Sequence, residues 1–230
     1  MGVATRRFIE NPTEVFMISQ DATIRDIAVE RPGATAVFRR HKIDFCGNGG
    51  ASLSQAALQR GLPVSELQAE LDDLTADHGD LPTDPESLIS HIITRYHDVH
   101  MAELPEALRL ARRVEAVHRA KADCPHGLAD HLALISDELQ GHQHKEEAAL
   151  FPMMRQGGAP MIRLPIARML AEHVDVVEQL DELARLTTDF TPPQGACTTW
   201  RALYEMCRKL DEDLREHMHI ENNILFPKFV

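Results

Sequence analysis

Beyond residue 84, apolar side chains recur every three or four positions, the period of an amphipathic helix. The pattern predicts four long helices. The first runs from Glu86 to about Ala120, with Leu88, Ile92, Tyr96 and Val99 on one side and Pro105 as a kink rather than a stop. The second runs from Leu128 to about Met154 and closes at Gly157-Gly158. The third covers about Met161 to Leu186, with Ile166, Met169, Leu170 and Val177 on one side. After the loop Thr191-Pro192-Pro193-Gln194-Gly195, the fourth runs from Thr198 to about Phe226. Long helices with short connections predict an up-down-up-down four-helix bundle.

The chain before residue 84 carries shorter repeats of the same period. Thr23 caps a helix to Arg31, Pro32-Gly33 breaks it, and a second covers Ala34 to His41. A glycine-rich turn, Asp44 to Gly50, leads to helices over Ser52 to Arg60 and Val64 to about Ala76. The expected organisation is all-α: a disordered lead at 1–14, a small helical domain at 15–78, a linker at 79–85 and the bundle at 86–230. The small domain is marginal in core size by itself. Asp84 as cap and Pro85 at the first helical position mark where the bundle starts.

Composition agrees with this and narrows the function. The 230 residues are 43% hydrophobic but only 5% aromatic, a core of Ala, Leu, Ile, Val and Met that favours helices. A formal charge of −12 leaves no basic stripe to replace counterions on a phosphate backbone, which argues against nucleic acid. No apolar run approaches the roughly 18 residues of a membrane span. Arg6 and Arg7 have no apolar segment behind them, so no secretory signal is evident. Cys46, Cys124, Cys197 and Cys207 are too scattered for a disulfide framework or a zinc finger. A reducing cytoplasm is the expected location.

The chemistry lies in a repeat. The segment from His142 to Pro152 matches that from His217 to Pro227 at a constant offset, with His, His, Glu, Leu, Phe and Pro in register. A duplicated helical hairpin explains this. In each copy His and Glu stand four apart, so His142 with Glu146, and His217 with Glu221, project from one helix face. His144 and His219 turn about 200° away and cannot join them. His97 and His173 are loosely related by the same offset, each beside an acidic neighbour, Asp98 and Asp175. Counted from the helix ends at 1.5 Å per residue, His97, His142, His173 and His217 lie at about the same height in an alternating bundle. By the same count His118 lies about 30 Å away.

One buried histidine usually finds a carbonyl or carboxylate, and a His–Glu pair is commonly a solvated one. Six such groups at one level would be desolvated at high cost without a cation. Four imidazoles and two carboxylates able to bridge suit a pair of borderline cations. There is no H-E-x-x-H, and the Glu-x-x-His steps, Glu115 to His118 and Glu216 to His219, fall outside the layer. Two iron ions bridged by carboxylates are the first choice, with manganese or zinc open.

These His-x-x-x-Glu steps on a bundle resemble hemerythrin-like domains. With Ile43-Asp44-Phe45-Cys46 in the N-terminal segment, the chain more specifically resembles the Repair of Iron Centers proteins, the bacterial YtfE/ScdA group, to which the DnrN and NorA proteins are similar. The likeness runs from about Val15 onward and is close at Ile92 to Asp98, Lys145 to Glu147, Leu150 to Pro152, Pro192 to Trp200 and Glu221 to Asn223. The resemblance implies di-iron ligation by His97, His142, His173 and His217, with Glu146 and Glu221 bridging. It also implies a polar channel near Glu138 and Glu172, where second-layer roles fit their positions beside His142 and His173. The family usually has two adjacent cysteines before its glycines; here Gly47 follows Cys46. A single thiol at Cys46 could still bind iron, nitric oxide or a small thiol, or the turn could be purely structural.

The function so implied is a cytoplasmic non-haem di-iron protein, monomer or homodimer, that repairs or protects iron–sulfur clusters damaged by nitric oxide or oxidants. Its expected partners are iron–sulfur proteins and nitric oxide. The alternatives are a sensor or scavenger that captures nitric oxide or oxygen without turnover, and a reductase coupling two nitric oxide molecules into N2O.

Overall fold

Helices account for all the regular structure among the described residues, apart from an isolated antiparallel bridge between Thr23 and Ser52. The computed structural model describes residues 18–31, 33–45, 47, 49–74, 81–158 and 161–230. The expected lead at 1–14, Cys46 and the first residues of the expected linker lie outside them. The chain divides into two compact units: Met1–Ile43 with Gly50–Asp77, and Asp44–Gly49 with His78–Val230.

In the first unit the helices are α1 (Ile24–Glu30), α2 (Ala34–Arg40), α3 (Leu53–Gln59) and α4 (Val64–Asp72). Their starts are set locally. The Thr23 hydroxyl accepts from the Asp26 N–H at 3.1 Å, and Ser52 with Gln55 forms a reciprocal capping box. The bridge ties those two caps together, Ile24 N–H to the Ala51 carbonyl at 2.9 Å and Leu53 N–H to the Ala22 carbonyl at 3.0 Å. Ile24, Val37, Phe38, Leu53, Leu67 and Leu71 fill the core between the four short helices.

The second unit is four rods. The first is α5 (Pro85–Ile92), a π turn (Ile93–His97) and α6 (Asp98–His118). The second is α7 (Leu128–Lys145), a π turn (Glu146–Leu150) and α8 (Phe151–Arg155). The third is α9 (Arg163–Leu186) alone. The fourth is α10 (Thr198–His219), a π turn (Ile220–Leu225) and a final 3-10 turn (Phe226–Lys228). Asp84 caps the first rod by accepting from Ser87 N–H at 2.9 Å, and Pro85 follows at the first helical position. The helix continues through Pro105. Each rod packs on two neighbours, so the four close into a ring. No helix among the described residues is long and apolar enough to cross a membrane.

The buried side of α9 differs from the expected one. It consists of Ile166, Met169, His173, Leu180 and Leu183, while Leu170 is 39% exposed and Val177 only half-buried. Leu170 follows Met169 by one residue, about 100° around the helix, which carries it out of the seam.

One end of the bundle is closed by an apolar cluster that includes Leu88, Ile92, Phe151, Ile166, Met169 and Phe226. The repeated Leu-Phe-Pro contributes to it from both halves: Leu150, Leu225, Phe151 and Phe226 are all 0–1% exposed. Phe151→Ala is expected to destabilise the bundle by about 3–5 kcal/mol, the usual loss for a fully buried phenyl ring. Urea unfolding of the metal-free protein checks this; a loss below about 1 kcal/mol would mean the cluster collapses around the gap.

Candidate metal centre

Six side chains from the four rods meet just past that apolar cluster. His97 ends the π turn of the first rod; His142 and Glu146 sit where α7 passes into its π turn; His173 lies midway along α9; His217 and Glu221 straddle the end of α10. All six are at most 4% exposed, and both glutamates are 0%. Three of the four rods place a π turn at or beside a member of this set, a local widening that is frequent at functional sites.

The Nε2 atoms pair across the bundle, His97 to His217 at 3.2 Å and His142 to His173 at 3.1 Å. Each carboxylate then sends one oxygen to each pair. Glu146 Oε2 lies 3.5 Å from His97 and its Oε1 3.3 Å from His142; Glu221 Oε1 lies 3.3 Å from His217 and its Oε2 3.2 Å from His173. The result is two cages, His97-Glu146-His217-Glu221 and His142-Glu146-His173-Glu221, with both carboxylates common to both. Within each cage the donor atoms lie within 4.8 Å of one another.

None of the four carboxylate oxygens has a hydrogen-bond partner of proper geometry among the described residues. Burying two such groups without compensation is costly, and imidazole with carboxylate is the donor set of borderline divalent cations. The residues of each cage therefore fit a divalent cation.

Protons partly stand in for cations. Burial, reinforced by the charge of Glu221, raises Glu146 above the usual carboxylate range. Burial would raise Glu221 too, but His217 and His173 outweigh it and hold Glu221 well below that range. On His142, burial opposes charge, yet Glu146, Glu221 and Glu172 outweigh it and lift the ring to about 9. His97 is lowered to about 4 by burial and by His217. The two glutamates are split as close carboxylates must be, one raised and one lowered.

The outer nitrogens are held from other rods. His97 Nδ1 is 2.8 Å from Glu147, His142 Nδ1 3.0 Å from Glu172, and His173 Nδ1 2.6 Å from the Asn222 side-chain oxygen. Such contacts fix ring orientation and ligand basicity. Glu172 also accepts from Lys145 at 2.7 Å and Arg168 at 2.9 Å, bonds that hold it at about 2 against burial. Aromatic rings brace the inner histidines: Phe151 stacks on His97, Phe226 on His173 and Tyr96 on His217.

Asp98 and Asp175, next in the chain to His97 and His173 or nearly so, face solvent, and it is Glu147 and Asn222 that stand behind those two rings. Glu147 and Asn222 are themselves related by the repeat offset, a signal the sequence carried. Glu138, one turn before His142, accepts from Gln179 and lines the same cavity as His142 and Glu172. His144 is exposed whereas its repeat mate His219 is buried, outside both cages, with its ring edge-on to Phe45 at 5.6 Å. Asn223 donates to His219 Nδ1 at 2.8 Å and to the Phe45 carbonyl at 3.2 Å. His118 stands apart from the cages, 3.3 Å from Cys197 Sγ and against Trp200. Beside Cys46, the Asp44 carboxylate accepts from Gly47 N–H at 2.9 Å, and a Cβ on Gly47 would come within 2.9 Å of that carboxylate.

A cavity of about 530 Å³ runs along the outside of the second cage, reaching His142 and Glu172. Asp137, Glu138, Glu172, Asp175, Glu178 and Glu182 line it, against Lys145 and two histidines, so it favours cations.

Residues 88–229 match the hemerythrin HHE cation binding domain, and residues 20–75 match a domain of unknown function, DUF542, also called ScdA_N. The chain is 44% identical over 213 residues to the iron-sulfur cluster repair protein YtfE of Dickeya chrysanthemi, covering 91% of this chain and 96% of that one. The YtfE of Pectobacterium atrosepticum is 43% identical over 216 residues, 92% of this chain and 98% of its own. That of Yersinia pestis is 46% identical over 206 residues, 88% and 93% respectively.

Proposed function

Because the chain belongs to the hemerythrin HHE cation-binding family and to its YtfE-type iron-sulfur cluster repair branch, we propose that it holds two irons between its six buried donors and repairs or protects iron–sulfur clusters damaged by nitric oxide or oxidants. The single observation that carries the two-iron reading is the sharing of Glu146 and Glu221, one oxygen each, by both cages. The proposed ligands are His97, Glu146, His217 and Glu221 for one iron and His142, Glu146, His173 and Glu221 for the other. Bound there, ferrous iron is the cargo handed to a damaged cluster, and the pair is also able to bind nitric oxide.

The chain's own residues supply the means of release. A proton on one oxygen of Glu146 withdraws that donor from its own cage and leaves the other cage a neutral carbonyl oxygen in place of a charged one, so both holds weaken. A proton on His142 removes a nitrogen donor from the second cage, and Glu172, hydrogen-bonded to that same ring, stands at the cavity wall. The acidic lining of the cavity attracts cations to the side of the second cage where His142 and Glu172 stand. The proposed partners are iron–sulfur proteins, in the bacterial cytoplasm.

The test is restoration of activity. An iron–sulfur dehydratase inactivated by nitric oxide is incubated with iron-loaded protein, with metal-free protein, and with free ferrous iron at matched concentration. Recovery faster with the loaded protein than with free iron is the expected result. Stoichiometric nitrosyl formation with no recovery of the dehydratase would select capture of nitric oxide instead.

A further inference from the structure

Three of the four inward histidines have their outer nitrogen occupied, by Glu147, Glu172 or Asn222. His217 does not: its Nδ1 is buried and has no hydrogen-bond partner among the described residues. The repeat explains the difference. Glu172, the partner of His142, stands one residue before His173; the residue one before His97 is Tyr96, whose ring lies flat on His217 at 5.3 Å and 8°. A stacked ring excludes water from that face but offers Nδ1 no acceptor.

Beside His217 lies a second unpaired group. His100 is 1% exposed, and neither of its ring nitrogens has a partner among the described residues. Asp213, the nearby carboxylate, is taken up by Arg95 at 2.9 Å and Lys209 at 2.8 Å. The His100 and His217 ring centroids are 5.9 Å apart, at 40°. A ring nitrogen sits roughly 1.1 Å from its centroid, so this separation exceeds the reach of a direct bond and suits one intervening water. Two buried imidazoles side by side, each with a ring nitrogen that has no partner among the described residues, are what a bound water satisfies.

We propose that His100 is the positioning residue for His217, through one buried water that accepts the proton of His217 Nδ1 and donates to a ring nitrogen of His100. The assignment rests on the two-iron reading above. It completes a regular pattern. Each cage has one histidine backed by a carboxylate, His97 by Glu147 and His142 by Glu172, and one backed by a neutral group, His173 by Asn222 and His217 by the His100 water. A carboxylate behind the ring makes the better donor, so each iron is held by one firm and one yielding histidine.

The experiment uses full-length protein loaded with two equivalents of ferrous iron, challenged anaerobically with a chromogenic chelator and followed by Mössbauer spectroscopy. The variants are His100→Val, which gives this half the residue at the matching place in the other (Val176), and His100→Asn, which keeps a polar group for the water. In His100→Val, one of the two irons is expected to leave about 10-fold faster and one quadrupole doublet to shift, with the other iron unchanged. His100→Asn should recover most of the lost hold. Unchanged release and unchanged spectra in His100→Val overturn the assignment. Failure of the wild type to take up two irons sinks the two-iron reading instead. Should His100→Val not fold, the zinc-loaded wild type decides the matter. Its His217 Nδ1 proton should show magnetisation exchange with a bound water, and a spectrum without that exchange overturns the proposal.

Discussion

Replacing both Glu146 and Glu221 by leucine is expected to abolish iron binding and, at the same time, to raise the melting temperature of the metal-free protein. The two carboxylates are 0% exposed, and their four oxygens have no hydrogen bond of proper geometry among the described residues. His217 and His173 offset burial at Glu221, but at Glu146 burial prevails, so without a cation that carboxylate weighs against the fold it sits in. Leucine is close to glutamate in volume and belongs in an apolar interior. Exchanging buried charged groups for apolar ones of similar size typically stabilises by about 1–4 kcal/mol. In a chain of this length that corresponds to a rise of very roughly 2–16 °C, from about 2–4 °C per kcal/mol. Metal analysis after loading and calorimetry of the metal-free proteins check both halves. Iron retained in the double variant would remove the bridging role. A variant that bound no iron yet melted below the wild type would mean that the carboxylates are already compensated by their histidines. The same variant should fail to restore a nitric-oxide-damaged dehydratase.

Iron uptake is expected to expel protons at pH 7 and to strengthen by about tenfold per pH unit for each proton displaced, up to pH about 9. The sign follows from which ligands hold protons in the metal-free state. His142, lifted to about 9, is charged at neutral pH, and Glu146 is raised as well. His142 must lose its proton to ligate, and the raised Glu146 adds to the same slope in the range where it titrates. His97, at about 4, is already neutral and adds no slope above that pH. The stability of the metal-free protein runs the other way. A histidine raised from 6.5 contributes stability that is complete below pH 6.5 and disappears as pH rises through about 9. Between pH 6.5 and 9, therefore, the metal-free protein should lose stability while the loaded protein gains relative to it. Titration calorimetry in buffers of different ionisation enthalpy counts the protons, and melting curves with and without iron across that range give the divergence. Parallel melting curves would contradict the assignment of a charged His142.

Local geometry was legible in the chain because it depends on neighbours in sequence. Asp84-Pro85 and Ser52 with Gln55 mark helix starts through bonds that span three residues. His142 with Glu146, and His217 with Glu221, share a face because four residues nearly complete one helical turn. Even the common height of the four histidines could be counted, since the rise per residue is constant and the connections force alternation.

What the chain left open depends on how one rod is rotated against the next. Asp98 and Asp175, next in the chain to His97 and His173 or nearly so, face solvent, and Glu147 and Asn222 reach in from the second and fourth rods. Glu138 accepts from Gln179 of the third rod, on the wall of the cavity that reaches His142. The repeat itself is broken by packing, which leaves His144 in water and buries His219 against Phe45. By itself the sequence determined the all-helical fold, the repeated His-x-x-x-Glu step and which six side chains come together, all consequences of a 3.6-residue period. Only the tertiary structure decided which carboxylate or amide backs each imidazole and that, among the described residues, His217 has none. Those contacts join rods through side chains whose direction is set by π turns and by the packing of Tyr96, Phe151 and Phe226, not by spacing along any single helix.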